Sequence, residues 1–198
     1  MGDPKVAVKV GGSLFDWPKL GTQLESWLKS LPSYKVLLFP GGGQAADLIR
    51  KYDRLHGLGE EAAHWLALRA LTLNAHLLAS LLSAGSFSRP VVITDLQDAN
   101  VIWGEAALPI LDPFRFVQED EHRPGRLPHS WLATSDSLTA RAAIELGATR
   151  LILLKSAPIP KDWMKVEQKI VDPCFETILT QNKSLLHVSA INFREWSG

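Results

Sequence analysis

The chain has 198 residues, enough to bury a sizeable core in one domain, and its 21 Lys plus Arg balance its 21 Asp plus Glu. A formal charge of zero gives no electrostatic reason to expect a nucleic acid or an anionic membrane as partner. A lone cysteine, Cys174, excludes an internal disulfide and a cysteine-built zinc site, and with no basic cluster beside it in sequence it reads as a buried, inert thiol.

Met1-Gly2-Asp3-Pro4 leads straight into a strand with no recognisable signal peptide, which sets the expectation of a cytoplasmic protein. That first strand, residues 5–10, carries Lys9 near its end and empties into Gly11, Gly12 and Ser13. In an open α/β sheet, ligands bind beyond the carboxyl ends of the strands. Here that end offers a fixed positive charge and a backbone that an anion can approach closely. Trp17, Leu20, Leu24, Trp27, Leu28 and Leu31 then recur at helical spacing. A second strand, residues 35–39, runs into Pro40-Gly41-Gly42-Gly43 and a helical run from Gln44. Neither a Walker phosphate loop nor a dinucleotide fingerprint is present, so the two strand-to-glycine junctions together point to a phosphate site built by two loops.

Leu66, Leu73, Leu77 and Leu81 mark a longer helix. Arg69, Asn74 and His76 interrupt its apolar run and would be costly in hydrocarbon, which favours an amphipathic buried helix over a membrane span. Strand-like runs follow at residues 90–94 and 108–111. Residues 113–128 hold Glu119-Asp120-Glu121 and then His122-Arg123-Pro124-Gly125-Arg126. With little apolar periodicity they read as a solvated loop, or as a flap whose Arg123 and Arg126 reach a phosphate. A helix from Asp136 through Leu146 ends at Gly147 in a C-cap position. Ser135 or Asp136 would cap its start; Asp136 either complements the helix dipole or pairs with Lys9 and orients it toward phosphates. The strand at residues 150–154 runs into Lys155-Ser156, where Lys155 is either solvated or a second site charge. The alternation of strands and helices predicts a parallel or mostly parallel sheet covered on both faces, in one domain spanning residues 1–198.

The pieces Lys9-Val10-Gly11-Gly12-Ser13, Pro40-Gly41-Gly42-Gly43, Ser135-Asp136-Ser137-Leu138-Thr139-Ala140 and the strand ending at Lys155 stand in the order found in the amino acid kinase family. The chain resembles that family from residue 5 to about residue 156. The resemblance implies an α/β fold, a three-layer α-β-α sandwich around a mostly parallel sheet. It further implies ATP with Mg2+ carried on the nucleotide rather than in a protein metal site, a small-molecule phosphate acceptor, and a homo-oligomer. Phosphoryl transfer would run in line between the glycine loops, with the acceptor on the N-terminal side and the nucleotide on the side from about residue 131. Lys9, Asp136 and Lys155 would be the catalytic set. Gly11, Gly12, Ser13, Ser135 and Ser156 would hold phosphates of the nucleotide, and Gly41, Gly42, Gly43, His129 and Trp131 would border the acceptor.

Two departures from the family pattern bear on this. The family commonly has an acidic residue with Thr or Ser where this chain has Lys155-Ser156, and a C-terminal Gly-Gly-Met block with a second lysine has no counterpart after Val171. Lys155 is the candidate replacement for that lysine. Residues 127–137 together with Leu153-Leu154-Lys155-Ser156 resemble the small kinases of methanofuran biosynthesis, which phosphorylate an aminomethyl-furanyl-methyl phosphate. Other readings of the same residues are a kinase for another phosphomonoester or a carboxylate, and a non-catalytic nucleotide-binding sensor or storage protein. Retention of both Lys9 and Asp136 favours an enzyme.

Overall fold

The structure, a computed structural model, describes residues 3–85, 89–164, 170–181 and 186–197. Among these, six strands form one parallel sheet: β1 (Lys5–Val10), β2 (Lys35–Pro40), β3 (Pro90–Ile93), β4 (Leu108–Leu111), β5 (Arg150–Lys155) and β6 (His187–Asn192). Their order is β3-β4-β2-β1-β5-β6. The helices are α1 (Leu20–Ser30), α2 (Gly43–His56), α3 (Glu60–Ser83), α4 (Ala99–Gly104), α5 (Pro113–Asp120), α6 (Ser135–Leu146) and α7 (Pro173–Gln181). The architecture is the expected three-layer sandwich.

Alternation along the central strands builds its two cores. Val6, Val8 and Val10 of β1, Leu38 of β2 and Ile152 and Leu154 of β5 meet Leu24, Trp27 and Leu28 of α1 and Leu78 and Leu82 of α3. On the opposite face, Ala7, Leu151 and Leu153 pack on Ala140 and Ala143 of α6 and Phe175 of α7. Small residues at those two α6 positions let that helix lie close to the sheet. Gly147 ends α6 with φ of 68°, a left-handed geometry that glycine adopts without steric cost.

Four expectations are corrected. Residues 113–120 are the helix α5 rather than a loop. Asp112 caps it by accepting from Phe114 and Arg115 N–H, Pro113 opens it, and Phe116 and Val117 enter the core. Asp120 at its end forms a buried ion pair with Arg141, and Arg141 also donates to the Pro124 carbonyl. Arg123 pairs with Glu145 and Arg126 donates to the Glu121 carbonyl, so the flap's two cations are turned back onto the protein. The leucines at 66, 73 and 77 do mark a helix but lie on its outer face, Leu73 at 62% exposure; the buried stripe of α3 is His64, Leu68, Leu71, Ala75, Leu78 and Leu82. An unanticipated strand, β6, continues the sheet beyond β5. Cys174 is half-buried rather than buried, and burial with the nearby Asp172 charge raises its thiol pKa, which keeps it unreactive.

Candidate active site

The strand order reverses at β1, with β2 on one side and β5 on the other. A crevice at the carboxyl end of such a switch point is where open parallel sheets bind ligands. Side chains alternate, so Lys9 shares the face of Ala7, and Lys155 that of Leu151 and Leu153: both lysines lie on the α6 side. Asp136, in the first turn of α6, meets them there. Lys9 Nζ is 2.9 Å from Asp136 Oδ1, and Lys155 Nζ donates to Oδ1 and Oδ2 at 2.9 Å each. Lys155 also donates to the Ile170 carbonyl at 2.7 Å. Burial opposes a charge on Asp136, but Lys9 and then Lys155 overcome it and hold the carboxyl below the usual range. For Lys155, burial and the Lys9 charge outweigh the Asp136 carboxylate and lower the ammonium pKa. The pairing of Lys9 with Asp136 is the geometry expected from sequence, and Lys155 is the third member.

The start of α6 is held from a distance. Asp172 Oδ2 accepts from Thr134 N–H at 2.9 Å, Thr134 Oγ1 at 2.7 Å and Ser137 N–H at 3.1 Å, while Oδ1 accepts from the Ser137 hydroxyl. A carboxylate at a helix N-terminus satisfies orphan N–H groups and suits the positive end of the dipole. Capping by Ser135 or Asp136 is therefore corrected: Asp172 does that work, and Asp136 is left for the lysines. Asp172 stands far from Thr134 in sequence, and nothing local announces it.

The two glycine loops lie against each other. A Cβ on Gly12 would collide with the Gly43 backbone nitrogen, so this approach requires glycine. Gly12, Gly42 and Gly43 line a cavity together with Ser13 and Ser135. Gly11 does not offer its N–H to a phosphate as expected, because it donates to the Leu154 carbonyl at 2.8 Å; Gly41, expected beside the acceptor, is not on the cavity wall and donates to the Val10 carbonyl at 2.8 Å, so both fasten the loops to the sheet. Ser13 and Ser156 share a hydrogen bond of 2.5 Å across the β1 and β5 ends. Arg194 braces the same turn, donating to the Ser13 carbonyl at 2.9 Å and pairing with Asp16. Asn74, buried in α3, donates to the Gly41 and Gly42 carbonyls at 2.7 and 2.8 Å. A polar residue inside an otherwise apolar helical stripe was the sequence signal for Asn74, and equally for His64.

The cavity measures about 260 Å³. Ala46, Leu68, Leu71 and Leu138 give it apolar walls, and Asp47, Arg50, His64 and Trp131 supply polar or aromatic groups. Trp131 is half-buried, with the Arg50 guanidinium 4.5 Å from its ring centre and its indole N–H donated to Asp53 at 3.3 Å. His129 is not on the wall. It stands behind His64, stacked on it at 4.4 Å between ring centres, and bridges Glu61 at 2.6 Å and Glu121 at 2.7 Å. Partial burial works against a charge on His129, but the hydrogen bonds to Glu121 and Glu61 prevail and raise its pKa. His64 goes the other way: burial, then the neighbouring His129, lowers it to about 4.

The amino acid kinase family pattern matches residues 4–158. A curated relative, the 5-(aminomethyl)furan-3-ylmethyl phosphate kinase of Methanocaldococcus jannaschii, is 29% identical over 133 residues. The match covers 67% of this chain and 56% of that protein, a little over half the relative's length. Uridylate kinase from Archaeoglobus fulgidus superposes with a TM-score of 0.63 at 18% identity, over 96% of this chain and 92% of that one. UMP kinase from Bacillus anthracis gives 0.68 at 13% identity, over 98% and 89%. At such identities these two likenesses are of fold.

Proposed function

The chain belongs to the amino acid kinase family, and from that premise we propose that it is an ATP-dependent kinase whose acceptor already carries a phosphate. The observation that carries this reading is the state of Asp136. Both its oxygens are engaged by ammonium groups and its carboxyl is held below the usual range, so it is a poor general base. An acceptor hydroxyl needs a base to take its proton, whereas a phosphomonoester oxygen is already anionic. In the reaction, the acceptor phosphate oxygen forms a bond to the γ-phosphorus as the bond to the leaving ADP oxygen breaks, and no proton has to move.

What such a transfer needs from the protein is positioning and charge neutralisation. Among the described residues Lys9 makes a single ion contact, with Asp136, which leaves N–H donors for phosphate oxygens. Lys155 spends its donors on Asp136 and the Ile170 carbonyl, and so acts as a nearby charge that fixes the carboxylate. Gly12 and Gly42 line the cavity, and their backbone N–H groups would be the further donors. These groups suit a polyphosphate: cations and backbone amides beside one carboxylate that the lysines saturate. Mg2+ would be held by the nucleotide's phosphates, and its chemistry there is to neutralise their charge. Ser13, Ser135 and Ser156 stand on the proposed nucleotide side.

For the acceptor we favour 5-(aminomethyl)furan-3-ylmethyl phosphate. The similarity to the Methanocaldococcus jannaschii kinase supports it, as does a cavity whose apolar walls and Trp131 suit a small flat ring. The exposed Leu55 and Tyr52 of α2 and Leu73 of α3 support self-association. The test is phosphorus NMR of the protein with Mg·ATP and this phosphate. A diphosphate product is expected. ATP binding without product from this or other phosphomonoesters would replace the kinase with a nucleotide sensor.

A further inference from the structure

One side of the cavity is α3, through Leu68 and Leu71, and another is the connection leading to α6, through Ser130, Trp131 and Thr134. Residues 127–134 form neither helix nor strand, so no backbone ladder fixes that second wall. A side chain just before it ties the two walls together. Among the described residues, the hydrogen bonds from 127–134 to α3 and to the end of α5 are those of His129: Nδ1 with Glu61 at 2.6 Å and Nε2 with Glu121 at 2.7 Å. The ring also stacks on His64 and meets Trp65 edge-on at 5.1 Å, both on α3. Trp65 keeps Glu61 aimed at it by donating its indole N–H to the other carboxylate oxygen at 2.6 Å.

A neutral imidazole has one N–H and can donate to only one of two carboxylates; its other nitrogen then turns a lone pair toward the second. The imidazolium donates to both. A ring held between two carboxylates is therefore in the geometry of its charged form, and its raised pKa agrees. The titratable groups that face it are Glu61 and His64 from α3 and Glu121 from the end of α5, and His64 is neutral above about 4.

We propose that His129 is a positioning residue for the acceptor: its imidazolium clasps the Trp131-bearing wall to α3 and α5, and loss of that proton loosens the cavity and weakens acceptor binding. The effect reaches the acceptor through Trp131, which lines the cavity two residues further on. This rests on the kinase reading above and adds to it a pH dependence of acceptor affinity, high below the His129 pKa and lower above it. Among the described residues, none of the clasp's groups contacts Lys9, Asp136 or Lys155, so ATP affinity should not follow it.

The test measures calorimetric affinity for 5-(aminomethyl)furan-3-ylmethyl phosphate and for ATP across the His129 pKa, which imidazole NMR supplies. Wild type is compared with His129→Arg, whose cation persists throughout, and with Glu121→Gln, which removes one of the carboxylates that raise that pKa. Dividing wild-type affinity by that of His129→Arg cancels the ionisation of the ligand itself. For the acceptor, this ratio is expected to fall about three- to fivefold as pH rises through the pKa, the scale of partly exposed ion pairs. For ATP it should stay level. In Glu121→Gln the NMR pKa and the affinity midpoint should both move to lower pH, a coupling that a merely structural role would not produce. Thermal melting checks folding; if His129→Arg does not fold, Glu121→Gln against wild type carries the comparison. A level acceptor ratio, an equal fall for ATP, a midpoint indifferent to Glu121→Gln, or no acceptor binding at any pH overturns the proposal. Product formation with Mg·ATP judges the kinase reading apart. Binding that follows the His129 pKa without product would sink that reading and leave the clasp standing, and turnover with a level ratio would do the reverse.

Discussion

His64 lies flat against His129, their planes 12° apart, yet the two imidazoles are pushed to opposite protonation states. Stacked rings that both carried charge would repel, and the carboxylates Glu61 and Glu121 decide which one keeps the proton.

Opposite pH dependences should follow. His129, raised above its ordinary value of 6.5, contributes stability that is full below 6.5 and lost as pH rises through its folded pKa. For His64, lowered to about 4, the fold favours the neutral form, so its contribution is present above 6.5 and is lost as pH falls from 6.5 toward 4. Imidazole NMR titration should find one ring titrating near 4 and the other above 6.5. Two rings titrating together near 6.5 would remove the coupling.

Lys9→Met is expected to cut turnover by about a hundred- to a thousandfold, the usual loss for one preorganised charge-stabilising donor. The side chain is 6% exposed and ion-paired, so stability should also fall, by up to about 3 kcal/mol. Adding Asp136→Asn strands Lys155 as a buried cation without its carboxylate, so melting temperature should fall further and turnover should not recover. A folded, fully active Lys9→Met protein would end the kinase assignment.

Lys155→Met should lower kcat with most ATP affinity kept, because its charge would matter more in the transition state than in the ground state. Binding by calorimetry and steady-state kinetics separate the two. Normal turnover would mean that Lys155 does not stand in for a second phosphate lysine.

Asp172→Ala removes the cap of α6 and should cost about 1–2 kcal/mol. Turnover should fall beyond what the lost stability explains, since Asp136 rides on that helix's first turn. Kinetics well below the melting transition provide the check; unchanged kcat would confine Asp172 to stability.

Asn74→Asp keeps shape but turns two donated hydrogen bonds into repulsion between a carboxylate and the Gly41 and Gly42 carbonyls. The expected result is a loss of about 1–3 kcal/mol and a raised KM for the acceptor. An unchanged KM would show that the second glycine loop does not need this support.

What could be read from the chain was local. Strand endings, glycine turns and the Gly147 stop all depend on short-range pattern or on strand alternation. The acidic, proline-flanked run after Asp112 hid α5, because its apolar residues are few and its charged Asp120 is buried by a partner in another helix. β6 carries only a short alternation at the sheet's edge, with Val188 and Ala190 half-buried. Asn74 shows in the sequence only as a polar break in its helix, and neither it nor Asp172 reveals its partner there, because each holds backbone from a distant segment.

Arg194 closing on the Ser13 turn has a consequence for how the molecule comes into being. As synthesis proceeds, Lys9 and both glycine loops emerge first, while β1 still lacks its neighbour β5 and the lysine lacks its counter-charge. Long-range pairings of this kind form slowly and late. Docking of β5 brings Lys155, and β6 then delivers Arg194 to the first turn, so completing the sheet and completing the site are one event. In denaturant, ligand binding and the parallel sheet should vanish in a single transition, with no half-folded species able to hold a phosphate.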